Sequence, residues 1–324
     1  MNYNDQYAYY RRAAEETLRC AVPADVPNPL GDAMRYSLLA GGKRLRPALM
    51  LMTTEAFGGD AANALDAAAG IEMFHNFTLL HDDVMDNSDM RRGRQSVHAK
   101  WDVNTAILSG DTMLTLATQA IAMVPDPVLR PVLDTFNAMA IRVYEGQHVD
   151  MEFEKCENVE IADYIRMIED KTGALIGAAA KIGALIGGGS ERDAQLMYDY
   201  GMMLGIAFQI QDDWLDVFGD ASTFGKPIGG DINNNKKSYL LLTALADKTP
   251  DSEALREAMK LPAGPAKVKI VTRIYEKMKI SDRVRADVAA YSSKAVAALK
   301  STSLSDEAKE PYRKLVEKLT GRRK

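Results

Sequence analysis

Apolar residues recur at helical intervals along most of the chain. The clearest run is Ile161, Ile165, Ile168, Thr172, Leu175, Ala179, Ile182 and Ile186, whose alternating steps of four and three predict one sustained helical stripe. Lys171-Thr172 falls inside it, where a charge beside a polar stripe residue needs a reason. Leu196, Tyr200, Met203, Ala207, Ile210, Trp214 and Val217 form a second stripe. At about 100° per residue, Asp212 lies roughly 200° from Ile210, so Gln209, Asp212 and Asp216 take the face opposite the packing face. Ala61–Asp83 is apolar on several sides and reads as a buried central helix. Further helices are expected over Asp5–Arg19, Asp32–Leu39, Ala48–Ala56 with Pro47 at its first position, Thr105–Met123 and Val128–Tyr144. Gly-Ala-Leu-Ile-Gly occurs at 173–177 and again at 183–187, a spacing close to three turns, so it predicts close packing by small residues on one helix. Phe218–Ser238 is a loop by its Gly, Pro and Asn content. From Lys248 onward the chain is more polar and reads as scaffold. The fold class is all-α.

Composition narrows this picture. No Pro/Gly/Ser-rich linker divides the 324 residues, so one domain over 1–324 is expected. The net charge of −5 argues against a general nucleic-acid partner. Two cysteines, Cys20 and Cys156, with no C-x-x-C, suit a reducing cytoplasm. The start, Met1–Arg19, lacks the apolar core of a signal peptide. Thr172–Gly189 is too short and too Gly-rich for a membrane span, and Lys181 interrupts it.

The candidate chemistry sits in two copies of Asp-Asp-x-x-Asp, at Asp82, Asp83, Asp86 and at Asp212, Asp213, Asp216. Residues i and i+4 share a helix face, so Asp82/Asp86 and Asp212/Asp216 form two carboxylate pairs. Such crowded like charges beside apolar sequence require a cation. Mg2+ takes one or two carboxylates and leaves its other positions to water and phosphate oxygens. Two acidic pairs facing one another would hold a Mg2+ cluster with a polyphosphate between them. Gly41-Gly42-Lys43-Arg44-Leu45-Arg46-Pro47 adds an anion site by composition: glycines that expose backbone N–H groups, and Arg forks that match phosphate. The same stretch also reads as a basic helix cap. His75 lies about two turns before Asp82, nearly on the same face. Arg91, Arg92 and Arg94 follow the first acidic turn. Tyr144–Met151 carries polar groups suited to contacts with metal-bound water, although taken alone the stretch reads first as a surface helix end. Lys226, Lys236 and Lys237 lie on the loop after the second acidic pair and suggest a lid.

From Gly41 to Ser238 these stretches, in this order, resemble the trans-isoprenyl diphosphate synthases of the polyprenyl synthetase family, short-chain type, like the geranylgeranyl and farnesyl diphosphate synthases. The resemblance implies an all-α bundle of about a dozen helices around a central cavity, usually a homodimer. It assigns Asp82, Asp83, Asp86, Asp212, Asp213 and Asp216 to three Mg2+ ions. Lys43, Arg46, His75 and Arg92 match the isopentenyl diphosphate site. Arg91, Lys171, Thr172, Gln209, Lys226 and Lys236 match the allylic diphosphate site, with Lys171, Thr172, Gln209 and Lys226 acting in its ionisation. Gln147 and Asp150 fall in the family's Gly-Gln-x-x-Asp stretch. Asn235 stands where the family commonly has Gly, and Asn tolerates left-handed backbone. The implied reaction condenses isopentenyl diphosphate with dimethylallyl, geranyl or farnesyl diphosphate to a C15–C20 product, geranylgeranyl ahead of farnesyl. Phe77, with Phe74 behind it, matches the floor that limits chain length. A class I terpene cyclase would lack the Lys43/Arg46 cluster and the second Asp-rich motif. A squalene-synthase-like enzyme would also lack the glycine–basic stretch, and a non-catalytic subunit would lose one acidic motif.

Overall fold

A computed structural model describes residues 3–156, 158–220 and 228–321. In chain order the helices are α1 (Tyr3–Cys20), α2 (Leu30–Leu38), α3 (Leu45–Ala56), α4 (Leu65–Met85), α5 (Val97–Lys100), α6 (Val103–Ile121), α7 (Asp126–Lys155), α8 (Ile161–Ile168), α9 (Ala174–Ile186), α10 (Glu191–Phe218), α11 (Gly230–Asn233), α12 (Tyr239–Ala246), α13 (Pro250–Met259), α14 (Pro265–Lys277), α15 (Ile280–Lys300) and α16 (Asp306–Thr320). Among the described residues the strands are β1 (Met90–Arg91) and β2 (Arg94–Gln95), an antiparallel hairpin with Arg91 opposite Arg94. The all-α expectation stands. Among the described residues no helix is long and apolar enough to cross a membrane.

The chain forms two compact units. The first comprises Met1–Ala138, Gly177–Tyr198 and Thr302–Pro311, and the second Met139–Ile176, Asp199–Ser301 and Tyr312–Lys324. In the first unit, α4 carries a nearly continuous buried run from Ala67 to Phe74. Small residues let its neighbours come close. A Cβ on Gly183 of α9 would lie 2.5 Å from the Met50 carbonyl oxygen of α3, so only glycine permits that contact. In the second unit Gly205 of α10 meets Gly173 backbone to backbone, where an added Cβ would come within 2.7 Å of the Gly173 Cα. The small-residue repeat therefore does serve close packing.

Three sequence expectations change. Pro47 is the third residue of α3, not the first: the helix starts at buried Leu45, after Arg44 in left-handed conformation (φ 50°). Proline is tolerated there because first-turn N–H groups have no intrahelical acceptor. Tyr144–Met151 is no helix end. It lies within the 30-residue α7, whose buried Val143, Gly146 and Phe153 step at three and seven along one face. The stripe over 161–186 is not one α-helix either, because residues Glu169–Gly173 form a π turn between α8 and α9. That wider turn holds Lys171 and Thr172, and π turns inside helices frequently mark functional sites.

Candidate active site

In the first unit the acidic pair closes α4. The Asp86 N–H donates to the Asp82 carbonyl at 2.8 Å, which keeps the two carboxylates one turn apart at the helix end. Asp83 faces elsewhere. Its Oδ1 accepts from Arg91 Nε at 2.9 Å and Nη2 at 2.5 Å. Burial raises the Asp83 pKa against the pull of Arg91. The hairpin that delivers Arg91 turns through Arg92-Gly93, both with positive φ (54° and 73°), the arrangement that matches the twist of a two-residue hairpin. Arg92 then reaches back and donates to the Gly41 carbonyl. Its guanidinium carbon would lie 3.3 Å from a Cβ on Gly42, so glycine there lets the cation lie against the loop.

The basic loop itself separates by role. Arg44 is 3 % exposed and turns inward, donating to Glu72 Oε1 at 2.7 Å and to the Leu38 carbonyl at 2.5 Å. It is a buried ion pair and no part of an anion site. Tyr7 pins the loop by donating to the Lys43 carbonyl at 2.7 Å. Burial pushes Arg46 down to about 10, with Glu72 opposing and Arg92 reinforcing the shift. Arg46 Nε is buried with no hydrogen-bond partner among the described residues, a donor in place for an anion. Arg92 is also lowered, first by burial and then by Arg44 and Arg91. His75 lies far below its usual value, through burial and the charges of Arg46, Arg92, Arg91 and Arg44. It is a neutral imidazole among cations at neutral pH. Arg46 and Arg92 thus lie close enough to His75 to act on its charge, with Arg91 and Arg44 beside them, and Lys43 is placed by its backbone bond to Tyr7.

Below that pair, Phe77 packs edge-on to His81 at 4.9 Å and to Phe74 at 5.5 Å, and Phe74 packs edge-on to Phe136 at 5.4 Å. Phe74 and Phe77 are both buried. Edge-to-face rings hold one another in place, so Phe77 is backed by two further aromatics.

In the second unit, Asp213 and Asp216 of α10 are buried, and Asp212 is part-exposed. Asp213 is held by three donors: Tyr164 Oη at 2.6 Å and the Tyr239 N–H at 2.9 Å on Oδ2, and Gln209 Nε2 at 3.0 Å on Oδ1. Burial and the charge of Asp231 push Asp213 up to about 7. Burial and Asp213 likewise drive the Tyr164 hydroxyl well up, so it stays a donor. Gln209 Oε1 in turn accepts from Thr172 Oγ1 at 3.3 Å, which orients its amide. Asp216 Oδ2 accepts from the Asp231 N–H at 3.1 Å.

The π turn brings Lys171 to Asp150, Nζ to Oδ2 2.6 Å. Burial alone would raise Asp150, but Lys171 and Lys236 outweigh it and its pKa falls below the usual carboxylate range. A Cβ on Gly146 would lie 2.4 Å from the Lys171 backbone nitrogen, so α7 admits the π turn only at a glycine. The Gly146–Asp150 stretch therefore supports Lys171. Lys226 lies outside the described residues.

All six aspartates offer hard oxygen donors of the kind Mg2+ prefers, yet the middle residue of each motif is committed to donors of its own chain. Among the described residues no three His, Cys, Asp or Glu side chains converge to hold an ion unaided.

Comparison with known proteins supplies the family. Residues 27–278 match the polyprenyl synthetase family. The chain belongs to the polyprenyl synthetases. A short chain isoprenyl diphosphate synthase of Methanothermobacter thermautotrophicus is 39% identical over 268 residues, covering 82% of both chains. A geranylfarnesyl diphosphate synthase of Natronomonas pharaonis is 37% identical over 263 residues, covering 76% of this chain and 77% of the other. The crystal structure of a geranylgeranyl pyrophosphate synthase from Corynebacterium glutamicum, complexed with isoprenyl diphosphate and magnesium, superposes with a TM-score of 0.88 over all of both chains at 28% identity. This polyprenyl synthetase is a prenyltransferase with the all-α isoprenoid synthase fold. The cyclase and non-catalytic readings are not favoured.

Partners missed by sequence reasoning are Glu72, Tyr164, Tyr239 and Asp231. Only Glu72 left a local signal, a carboxylate three residues before His75 in an otherwise apolar helix.

Proposed function

We propose that this polyprenyl synthetase joins isopentenyl diphosphate head-to-tail to an allylic diphosphate (dimethylallyl, geranyl or farnesyl) and releases a short trans-prenyl diphosphate. The observation that carries the reading is that α4 bears both an acidic pair, Asp82/Asp86, and His75, on which the charges of Arg46, Arg92 and Arg91 converge. The acidic pair suits a metal and the cations suit a diphosphate. Mg2+, when bound, supplies Lewis-acid stabilisation of the leaving diphosphate. By family resemblance Asp82, Asp86, Asp212 and Asp216 would hold it, as three ions, while Asp83 and Asp213 anchor Arg91, Gln209 and Tyr164.

Lys43, Arg46 and Arg92 bind the isopentenyl diphosphate, and neutral His75 donates to it without adding charge. Arg91, Lys171, Thr172, Gln209, Lys226 and Lys236 bind the allylic diphosphate, and Gln147 and Asp150 support that set. Fixed cations around a departing diphosphate lower the barrier to breaking the allylic C–O bond, whose electron pair leaves with the diphosphate. The isopentenyl double bond then forms the new C–C bond, and the proton lost afterwards goes to the released pyrophosphate. Exclusion of water protects the allylic cation from capture as an alcohol.

The whole chain acts as one polyprenyl synthetase domain, a cytoplasmic homodimer. Apolar residues left on the surface of each unit, such as Leu108 (57 % exposed) and Ile141 (56 %), favour a second copy as partner. The product is C15 to C20, with Phe77, by family resemblance the floor below Asp82, limiting its length. Phe77→Ala is expected to lengthen the product by at least one C5 unit. An unchanged product distribution removes Phe77 from the floor.

The decisive assay combines purified protein, Mg2+, labelled isopentenyl diphosphate and each of the C5, C10 and C15 allylic diphosphates, with products sized by chromatography. Elongation with at least one starter is expected. Failure with all three overturns the reading.

A further inference from the structure

Lys267 is the most deeply buried lysine among the described residues, 1 % exposed, and it lies in the first turn of α14. Both circumstances are unfavourable for a cation. Burial penalises its charge and lowers its pKa, and the positive end of the helix dipole repels it. Its Nζ donates to Asn235 Oδ1 at 2.6 Å.

Two more contacts come from the same helical turn. The Gly264 N–H, just before the helix, donates to Asn233 Oδ1 at 2.8 Å. Val268 packs on Gly229, where a Cβ would lie 2.6 Å from Val268 Cγ1 and where φ is +81°. One turn of α14 thus clamps residues 229, 233 and 235 together. The clamped segment bears directly on the proposed site. The Gly229 N–H donates to the Asp216 carbonyl at 2.6 Å, and the Asp231 N–H to the Asp216 carboxylate. Asn235, held at φ 54°, sets the direction of the next residue, Lys236, whose charge acts on Asp150.

We propose that Lys267 is a positioning residue for this prenyltransferase: through Asn235 it fixes the segment that presents Lys236 and steadies Asp216, and so sets the grip on the allylic diphosphate. This rests on the function proposed above. Asn235 therefore does more than tolerate a left-handed backbone. It carries an acceptor that a glycine at the same φ lacks.

The test compares Lys267→Met, Asn235→Gly and the double variant. Asn235 is exposed, so Asn235→Gly folds even if the buried Met does not. Each single variant is expected to raise the allylic KM about tenfold, with the isopentenyl diphosphate KM within about twofold of wild type. The double variant is expected to be no worse than the worse single one, since both break one contact. Affinity for inorganic pyrophosphate with Mg2+, measured by calorimetry, should weaken in parallel. A drop in Tm alone, with allylic KM and pyrophosphate affinity unchanged, overturns the proposal, as do additive effects in the double variant. If wild-type protein elongates no starter, the proposed function fails on its own, and pyrophosphate affinity across the three variants still decides the role of Lys267.

Discussion

Asp82→Asn and Asp212→Asn are each expected to lower kcat about a thousandfold or more, equivalent to roughly 4 kcal/mol of transition-state stabilisation. The size follows from the reaction. A departing diphosphate concentrates negative charge at one end of the breaking bond, and the Lewis-acid help that Mg2+ would supply there depends on carboxylates that carry charge to hold it. Asn preserves shape and removes charge, so the fold is retained. Asp83→Asn should behave differently, because Asp83 is bonded to Arg91. Its loss loosens the hairpin and raises the allylic KM more than it lowers kcat. The separating measurement is the Mg2+ dependence of rate: Asp82→Asn and Asp212→Asn require more Mg2+ for half-maximal rate, and Asp83→Asn does not. Equal Mg2+ curves for all three would mean that the two motifs do not divide labour as their hydrogen bonds indicate.

The parts of the site that could be read from the chain are those whose geometry is local. A carboxylate pair at i and i+4 and a run of cations beside two glycines need only helix periodicity and composition. The roles within those runs could not be read. Arg44 sits between Lys43 and Arg46 in a run of like composition, yet its left-handed backbone turns it into the interior while Arg46 stays with the cations around His75. Nothing in a single sequence specifies that φ. Likewise Asp213 meets Tyr164 from 49 residues away and Tyr239 from 26, distances over which no periodic pattern carries information. The helical stripe over 161–186 gave the right elements and the wrong continuity. A π turn adds one residue to a turn, and a stripe of steps three and four absorbs that residue without a visible break. The unexplained charge at Lys171 was the one trace of it.

The buried pair Arg44–Glu72 carries the largest expected effect on stability. Glu72 is 2 % exposed and Arg44 3 %, and removing Glu72 leaves the buried Arg44 only the Leu38 carbonyl and the longer contact to the part-exposed Glu15, Nε to Oε1 3.8 Å. Glu72→Leu is therefore expected to cost about 3–5 kcal/mol, where replacing both partners by apolar residues of similar volume is often neutral. In a chain of this size that lowers Tm by about 4–7 °C. The double variant Glu72→Leu/Arg44→Met should recover at least half of the loss, which separates the uncompensated charge from a packing defect. Function should follow stability only in part. Glu72 is the negative charge that opposes the downward shift of Arg46 and Arg92, so both single and double variants lose it. Only the single variant also frees Arg44 to pull the Lys43–Arg46 loop out of place. The isopentenyl diphosphate KM should accordingly rise most in Glu72→Leu and stand between that value and wild type in the double variant. Thermal melts and KM for the three proteins check both halves. A single variant within about 1 kcal/mol of wild type would show that Arg44 finds water or another acceptor, and that the loop owes its shape to Tyr7 and the two glycines instead.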